Sequence, residues 1–352
     1  MLTRNQFLRQ LVTAAAGTSL IGLEHASARP ADKRYLTFDF HTHPGQFIIK
    51  GSDKFPGDAA IAKTVGIMNS SHLSGGFFSL VADMPIINLG PTGVVTTTPY
   101  KPGEAWKEYK RQLGIYRDSF KPTDVILSTK ASDLANYEKQ EKVVAYLGCE
   151  GGDMLGNVDH VDETYRDGVR SIQLVHYSPN DIGDLQTSDP QHNGLSAFGK
   201  EVVKRMNKLG MVIDVAHASY NTVKATADIT TKPLILSHTA MSMGADKPLA
   251  RRTISVDHAK VVAGTGGVIG MWPSGFFPTF DAFVEGTFRM IDAAGIDHVG
   301  LGTDMDGNFK PVFDNYAQLI PWADALKAKG LSDADTRKVL GENALRVLKQ
   351  VL

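Results

Sequence analysis

Between Met211 and Arg252 the chain reads MVIDVAHASYNTVKATADITTKPLILSHTAMSMGADKPLARR. Two short apolar runs, Met211–Val215 and Pro233–Leu236, are each followed two residues later by a histidine, His217 and His238. Ser219–Ala227, between them, has helical composition. Continuous apolar runs are what a strand buried on both faces requires, and strands alternating with helices predict a parallel sheet. Ligands and catalytic groups on such sheets gather just beyond the carboxyl ends of the strands. Two histidines on successive strands would therefore stand side by side at one mouth. A single strand-end histidine is more often a hydrogen-bonded structural residue; a recurring series is not.

The pattern recurs along the chain. Leu36–Phe40 alternates apolar and polar residues and leads into His41-Thr42-His43-Pro44. Side chains two apart on a strand point the same way, so His41 and His43 can address one ion. Gly75–Val81 reads as a second strand ending near Ala82-Asp83, Met84–Tyr100 as a long loop, and Glu104–Tyr116 as a helix. Asp133–Glu141 reads as a further helix. Lys142–Leu147 is a third strand, with Glu150 just beyond it among glycines that allow close approach. Val169–Val175 is a fourth, ending on His176, and Asp181–Asn193 is a polar loop. Leu195–Leu209 has apolar residues at helical spacing, with Ser196 to cap it and Gly210 to stop it. Ser255–Val262 is a short helix, Gly267–Met271 a seventh strand and Phe280–Ala294 a helix. His298–Leu301 is an eighth strand, ending Gly302-Thr303-Asp304, and Ser332 opens a last helix to Leu348. Eight strands that mostly alternate with helices predict an α/β fold of the (β/α)8 (TIM) barrel type, which brings every strand end to one face.

Taken singly, His176 reads as a core histidine and Asp304, in TDMDG, as a turn residue. Taken together, the strand-end residues read as a metal site. Imidazoles with a carboxylate are first-row metal ligands, and zinc is the commonest fit for a hydrolase. A glutamate can bridge two ions, which places one near His41 and His43 and another near His217 and His238, with Glu150 between them. Two ions acidify a shared water to a bridging hydroxide and polarise a carbonyl. Asp304 is then placed to pass a proton to a leaving amine, and His176 to donate to the oxyanion.

Composition bounds the partners. The 352 residues are 42% hydrophobic with a net charge of −1, a globular balance with no basic excess for nucleic acid. The start of the chain differs from the rest. Arg4 and Arg9 precede an apolar run, Leu11–Leu23, too short to span a bilayer, and Ala26-Ser27-Ala28 offers a small-residue cleavage site. Residues 1–28 therefore read as a secretory signal, by the general route or by an atypical twin-arginine one in which Asn5 replaces the second arginine. Residues 29–352 read as one barrel domain, exported to the periplasm or beyond, with no membrane span. The lone Cys149 cannot form an intrachain disulfide.

The motifs GCEGG (Gly148–Gly152), IQLVH (Ile172–His176), NGLSAFGKEVVKRMNKLGMVIDVAH (Asn193–His217), PLILSH (Pro233–His238), LARRTIS around Arg252 and HVGLGTDMDG (His298–Gly307), with Leu331–Leu348, cover most of the chain after its signal. In these segments the chain resembles the membrane (renal) dipeptidase family, metallopeptidases of the amidohydrolase-type barrels. The resemblance implies a binuclear zinc centre that hydrolyses dipeptides. By motif, His41, His217 and His238 become metal ligands and Glu150 their bridge; His176 assists the tetrahedral intermediate, Arg252 binds a substrate carboxylate, and Asp304 handles protons. It also implies a homodimer. Two departures stand out. The family's first motif is His-x-Asp, but here it is His41-Thr42-His43, so a neutral imidazole replaces an anionic carboxylate. The site is then short of one negative charge and binds its ion more weakly or takes a different ion. The segment after Arg252 reads Thr253-Ile254-Ser255, where Asn and an acidic residue are usual. A metal hydrolase of another amide, ester or lactone, and a silent binding protein on the same barrel, are the competing readings.

Overall fold

The computed structural model describes residues 35–90, 93–121, 124–244 and 249–352. The export signal read at residues 1–28 lies outside them. The described residues build a closed barrel of parallel strands: β1 (Phe38–Thr42), β2 (Gly75–Val81), β3 (Val144–Glu150), β4 (Val169–Gln173), β5 (Val212–Asp214), β6 (Ile235–Thr239), β7 (Val268–Met271) and β8 (Val299–Leu301). Neighbours in this order pair in parallel, and β1 pairs β8 to close the ring. The β2–β3 seam holds register along its whole length, from Gly75 opposite Val144 to Val81 opposite Glu150. Among the described residues, no helix is long and apolar enough to cross a membrane.

Five of the eight strands begin on an apolar residue and end on a polar one: Phe38 to Thr42, Val144 to Glu150, Val169 to Gln173, Val212 to Asp214 and Ile235 to Thr239. Phe38, Val144, Val212, Ile235 and Val268 open their strands and are fully buried. They cluster with Phe40, Phe77 and Tyr146, and with Ala344, Val347, Leu348 and Val351 of the C-terminal helix Asn343–Val351. That helix therefore packs on the N-terminal end of the barrel and leaves the carboxyl ends for chemistry. A second, larger cluster lies between the strands and the outer helices, and includes Val202, Val203 and Met206 of helix Ala197–Leu209 and Phe283 and Met290 of helix Phe280–Ala294.

Helix starts follow the capping residues. Ser196, Ser219, Ser255, Thr279 and Ser332 each accept a backbone N–H from three residues on, satisfying a donor that the helix leaves open. Gly210 closes its helix at φ 75, in the left-handed region.

Several elements differ from expectation. Met84–Tyr100 is not a plain loop: Ile87–Gly90 pairs antiparallel with Gly93–Thr96. Gly93–Thr96 is only partly buried, so no apolar alternation announces it. Asp133–Glu141 holds no regular helix; one turn, Ala131–Ala135, is followed by the 3-10 turn Tyr137–Lys139. The fourth strand stops at Gln173, which leaves His176 on the loop beyond it. Helix Asp58–Ser70 carries Ile61, Val65 and Met68 at helical spacing, a legible signal that went unread. Helix Asp159–Arg166 buries only Val161 and Thr164, and Leu319–Ala328 holds a proline in its first turn. The short strand Ile126–Ser128 pairs with the start of β3. The last helix runs through a π segment, Lys338–Glu342, where Gly341 lies against the Leu36 carbonyl.

Gly270 of β7 and Gly302, just past β8, both press on the Ser237 carbonyl of β6. A Cβ at either would sit 1.8 or 1.7 Å from that oxygen. Backbone cannot yield as a flexible side chain does, so Gly302→Ala should lower stability by about 2 kcal/mol or more. The urea midpoint measures this; an unchanged midpoint would show that the close approach is relaxed.

Candidate metal centre

Two buried carboxylates fix the strand ends before any ligand is considered. Asp39 is fully buried; its Oδ1 accepts the backbone N–H of His41 (3.1 Å) and of Thr303 (2.9 Å). Its Oδ2 accepts the hydroxyls of Thr303 and of Tyr316, the latter at 2.7 Å. One side chain thus ties the end of β1 to the residue before Asp304. Asp214 does the same across the barrel: its Oδ1 accepts Ala216 N–H (2.9 Å) and Ser237 N–H (3.0 Å), each one residue before a site histidine. Burial raises the pKa of both carboxyls, and the hydrogen bonds they accept oppose that rise. His217 (φ 64) and Asp304 (φ 53) have left-handed backbones, a strain that a tightly packed site can hold.

Glu150, the last residue of β3, is buried and stands at the centre. Its Oε2 lies 3.3 Å from Nε2 of His41 and 3.3 Å from Nε2 of His43. Its Oε1 lies 3.2 Å from His176 Nε2, 3.3 Å from His217 Nε2 and 3.6 Å from His238 Nε2. The Nε2 atoms of His41 and His43 are 3.1 Å apart, and those of His217 and His238 3.0 Å. Ligand atoms of a tetrahedral zinc with bonds of 2.0–2.1 Å are about 3.3 Å from each other. The donor separations therefore suit a metal ion, and the donor types suit one as well.

The far side of three of the rings supports this, while His217 Nδ1 finds no hydrogen-bond partner among the described residues. His43 Nδ1 is 2.8 Å from the Ser79 carbonyl, which can only accept; Nδ1 therefore carries a proton, and Nε2 is the nitrogen that faces the site. His238 Nδ1 lies 2.9 Å from Ser237 Oγ, and His41 Nδ1 3.4 Å from Ser79 Oγ. His176 is held differently. Its Nδ1 lies 2.6 Å from Asp83 Oδ1, and Asp83 Oδ2 accepts the N–H groups of Tyr177 (3.1 Å) and Ser178 (2.9 Å). The Asp83 carboxylate raises the His176 pKa against burial, with Glu150 adding to it.

Charge is unevenly spread across the cluster. Burial holds His217 and His238 well below the ordinary histidine range, with Arg252 adding to the effect on His217 and His41 on His238. That favours the neutral imidazole at both, the form that can offer a lone pair to a metal ion. Against a burial penalty, His176 and His41 hold the Glu150 carboxyl well below its usual value. His43 also meets a burial penalty, yet Asp304 and Glu150 push it up to about 10. The carboxylates demand a cation at that end of the site.

Arg252 is 1% exposed and ends the 3-10 turn Ala250–Arg252. Its Nη1 donates to Gln186 Oε1 (2.7 Å), and its guanidinium carbon lies 5.3 Å from the centre of the Trp272 ring. Nε and Nη2 find no hydrogen-bond partner among the described residues. A buried cation with open donors is costly unless an anion completes it. Asp304 joins the cluster through Oδ1, 3.3 Å from His43 Nε2. All the residues singled out from the sequence therefore stand in one place, His41, His43, Glu150, His176, His217, His238 and Asp304 directly and Arg252 beside them.

Asp83, Gln186 and Ser79 had not been singled out. Asp83 follows β2 at a strand end, the same signal as the others carry. Gln186 and the Ser79 carbonyl act through partners distant in sequence, and nothing in their local pattern marks them.

The family model for membrane dipeptidases (peptidase family M19) matches residues 57–352, so it begins after His41 and His43. Dipeptidase tcpJ of Claviceps purpurea is 29% identical over 259 residues, covering 67% of this chain and 60% of that protein. Dipeptidase verJ of Clonostachys rogersoniana is 30% identical over 254 residues, covering 70% of this chain and 62% of that one. The chain therefore spans less than two thirds of the length of these relatives. A solved structure described as dipeptidase AC, a metallo peptidase, superposes with a TM-score of 0.75 at 19% identity, over 90% of this chain and 98% of that one, a likeness in fold. By the family match across its barrel, the chain belongs to the membrane dipeptidase family, peptidase family M19.

Proposed function

We propose that the chain is an exported zinc dipeptidase that hydrolyses the peptide bond of dipeptides. The observation that carries this reading is the division of Glu150: Oε2 faces the His41/His43 pair and Oε1 the His217/His238 pair. Each pair, with its half of the carboxylate, would hold one zinc ion. Zinc held there supplies Lewis acidity, lowering the pKa of a shared water and polarising the scissile carbonyl.

The chain's own residues do the rest. Arg252 offers its unpartnered Nε and Nη2 to the substrate carboxylate, while Gln186 fixes the plane of the guanidinium. The second oxygen of Asp83 is anchored by two backbone N–H groups, so His176 cannot swing and its Nε2 stays aimed at the centre. From there it donates to the oxygen that gains charge as the carbonyl is attacked. Asp304 takes a proton from the attacking water and returns it to the leaving amine. Domain organisation enters the same reading: residues 1–28 are removed on export to the periplasm or beyond, residues 29–352 form the working barrel, and two chains form a dimer.

The full chain, loaded with zinc, should cleave members of a panel of L,L and L,D dipeptides and lose that activity to a chelator. Glu150→Gln, which keeps shape but discards charge, should reduce kcat/KM by roughly 1,000-fold or more, the loss of about 4 kcal/mol of transition-state stabilisation. Full activity in that variant would sink the reading. Arg252→Ala should cost about 100-fold on free dipeptides and far less on dipeptide amides, because the amide has no carboxylate to lose; equal losses on both would remove Arg252 from substrate recognition. Mass spectrometry of the exported protein should find an N-terminus at Arg29, and sedimentation should give the mass of two chains; an uncut N-terminus or a monomer contradicts that part.

A further inference from the structure

We propose that Asp304 is a ligand of the first metal ion and that His43 makes it one. This rests on the two-ion reading above and adds a residue that the motif resemblance places only in proton transfer. His-x-Asp would give the first ion one carboxylate of its own; His41-Thr42-His43 gives it none. The longer imidazole reaches further, and its Nε2 comes within 3.3 Å of Asp304 Oδ1. The other separations at this end are 3.1 Å (His41 to His43) and 3.3 Å (each histidine to Glu150 Oε2). Four contacts thus have the length of a tetrahedron's edge about a zinc ion, which is about 3.3 Å. His41, His43 and Asp304 also offer donor atoms that all lie within 4.8 Å of one another.

Two further features hold Asp304 there. Its backbone N–H donates to the His41 carbonyl (2.9 Å), which ties the carboxylate to the strand bearing the first ligand. Gly307 leaves the space for the pair: a Cβ there would sit 2.6 Å from Asp304 Oδ1 and 2.7 Å from His43 Cδ2. The charge balance agrees. Set against the His-x-Asp motif, His43 leaves the first site short of one negative charge, and the Asp304 carboxylate beside it would restore that charge. Nδ1–H of His43, fixed on the Ser79 carbonyl, leaves only Nε2 to ligate.

Metal binding separates this role from proton transfer, which does not depend on how tightly the ion is held. Zinc affinity and stoichiometry of the full chain would be measured by competition with a chromophoric chelator, and the visible spectrum would be recorded with cobalt in place of zinc. Asp304→Asn, which preserves shape, should weaken one of the two ions by roughly 100-fold, the scale on which metal sites respond to lost partners. It should also change the cobalt bands. In a His43→Asp background, which restores the family's carboxylate, Asp304→Asn should alter zinc affinity by less than about threefold. Unchanged affinity and unchanged cobalt bands for Asp304→Asn in the wild-type background would overturn the proposal, as would an equal loss in both backgrounds. If the wild-type chain bound no zinc at all, the two-ion reading itself would fall, a result distinct from either.

Discussion

A carboxylate buried among five imidazoles is the interaction on which the rest of this molecule depends. Glu150 is 4% exposed; its Oε2 meets the two histidines at the end of β1, and its Oε1 meets His176, His217 and His238, which come from three further segments of the ring. Removing a carboxylate from water is expensive unless cations or donors surround it. The barrel meets that cost by closing a ring: β3 carries Glu150, β1 and the residue after it carry His41 and His43, and β6 carries His238. No pair of adjacent strands could gather these groups alone. Closure of β2 on β3 and of β1 on β8 brings residues from opposite ends of the sequence within hydrogen-bonding distance.

The strands divide labour along their length. The opening residues Phe38, Val144, Val212, Ile235 and Val268 are apolar and cluster with the C-terminal helix, and that burial contributes to stability. Near the carboxyl ends, Asp39 and Asp214 join neighbouring segments through the backbone N–H groups of His41, Thr303, Ala216 and Ser237. These two aspartates touch no site atom that would face a substrate. They set the separation of His41 from Asp304 and of His217 from His238, and so convert a packed barrel into a fixed set of donors.

Much of this is visible in the sequence because most of the clustered residues sit where an apolar run stops. His41, Glu150, His217 and His238 could be read from that junction alone, and their convergence from the eight-strand count. His176 is legible although its strand ends at Gln173, two residues earlier than expected, because its loop still rises from the same mouth. Asp83 lies at an equivalent junction but was passed over; it gains meaning only when His176 stands beside it, 93 residues away in the chain. The antiparallel pair Ile87–Gly90 and Gly93–Thr96 is hard to read from sequence because a partly exposed ribbon needs no hydrophobic alternation. Helix Asp159–Arg166 buries two residues and leaves almost no periodic trace. What a sequence shows well is burial with a period; what it hides are contacts made by one side chain to a distant backbone.

His43, standing where the resemblance leads one to expect an aspartate, places the chain's departure in the histidine cluster rather than in the fold. The most direct test of the central claim is anomalous scattering from crystals of the zinc-loaded chain, recorded on both sides of the zinc edge. Two peaks flanking the Glu150 carboxylate, one beside His41 and His43 and one beside His217 and His238, are expected. A single peak, or none, in a folded protein soaked in zinc would contradict the account of Glu150 as a bridge.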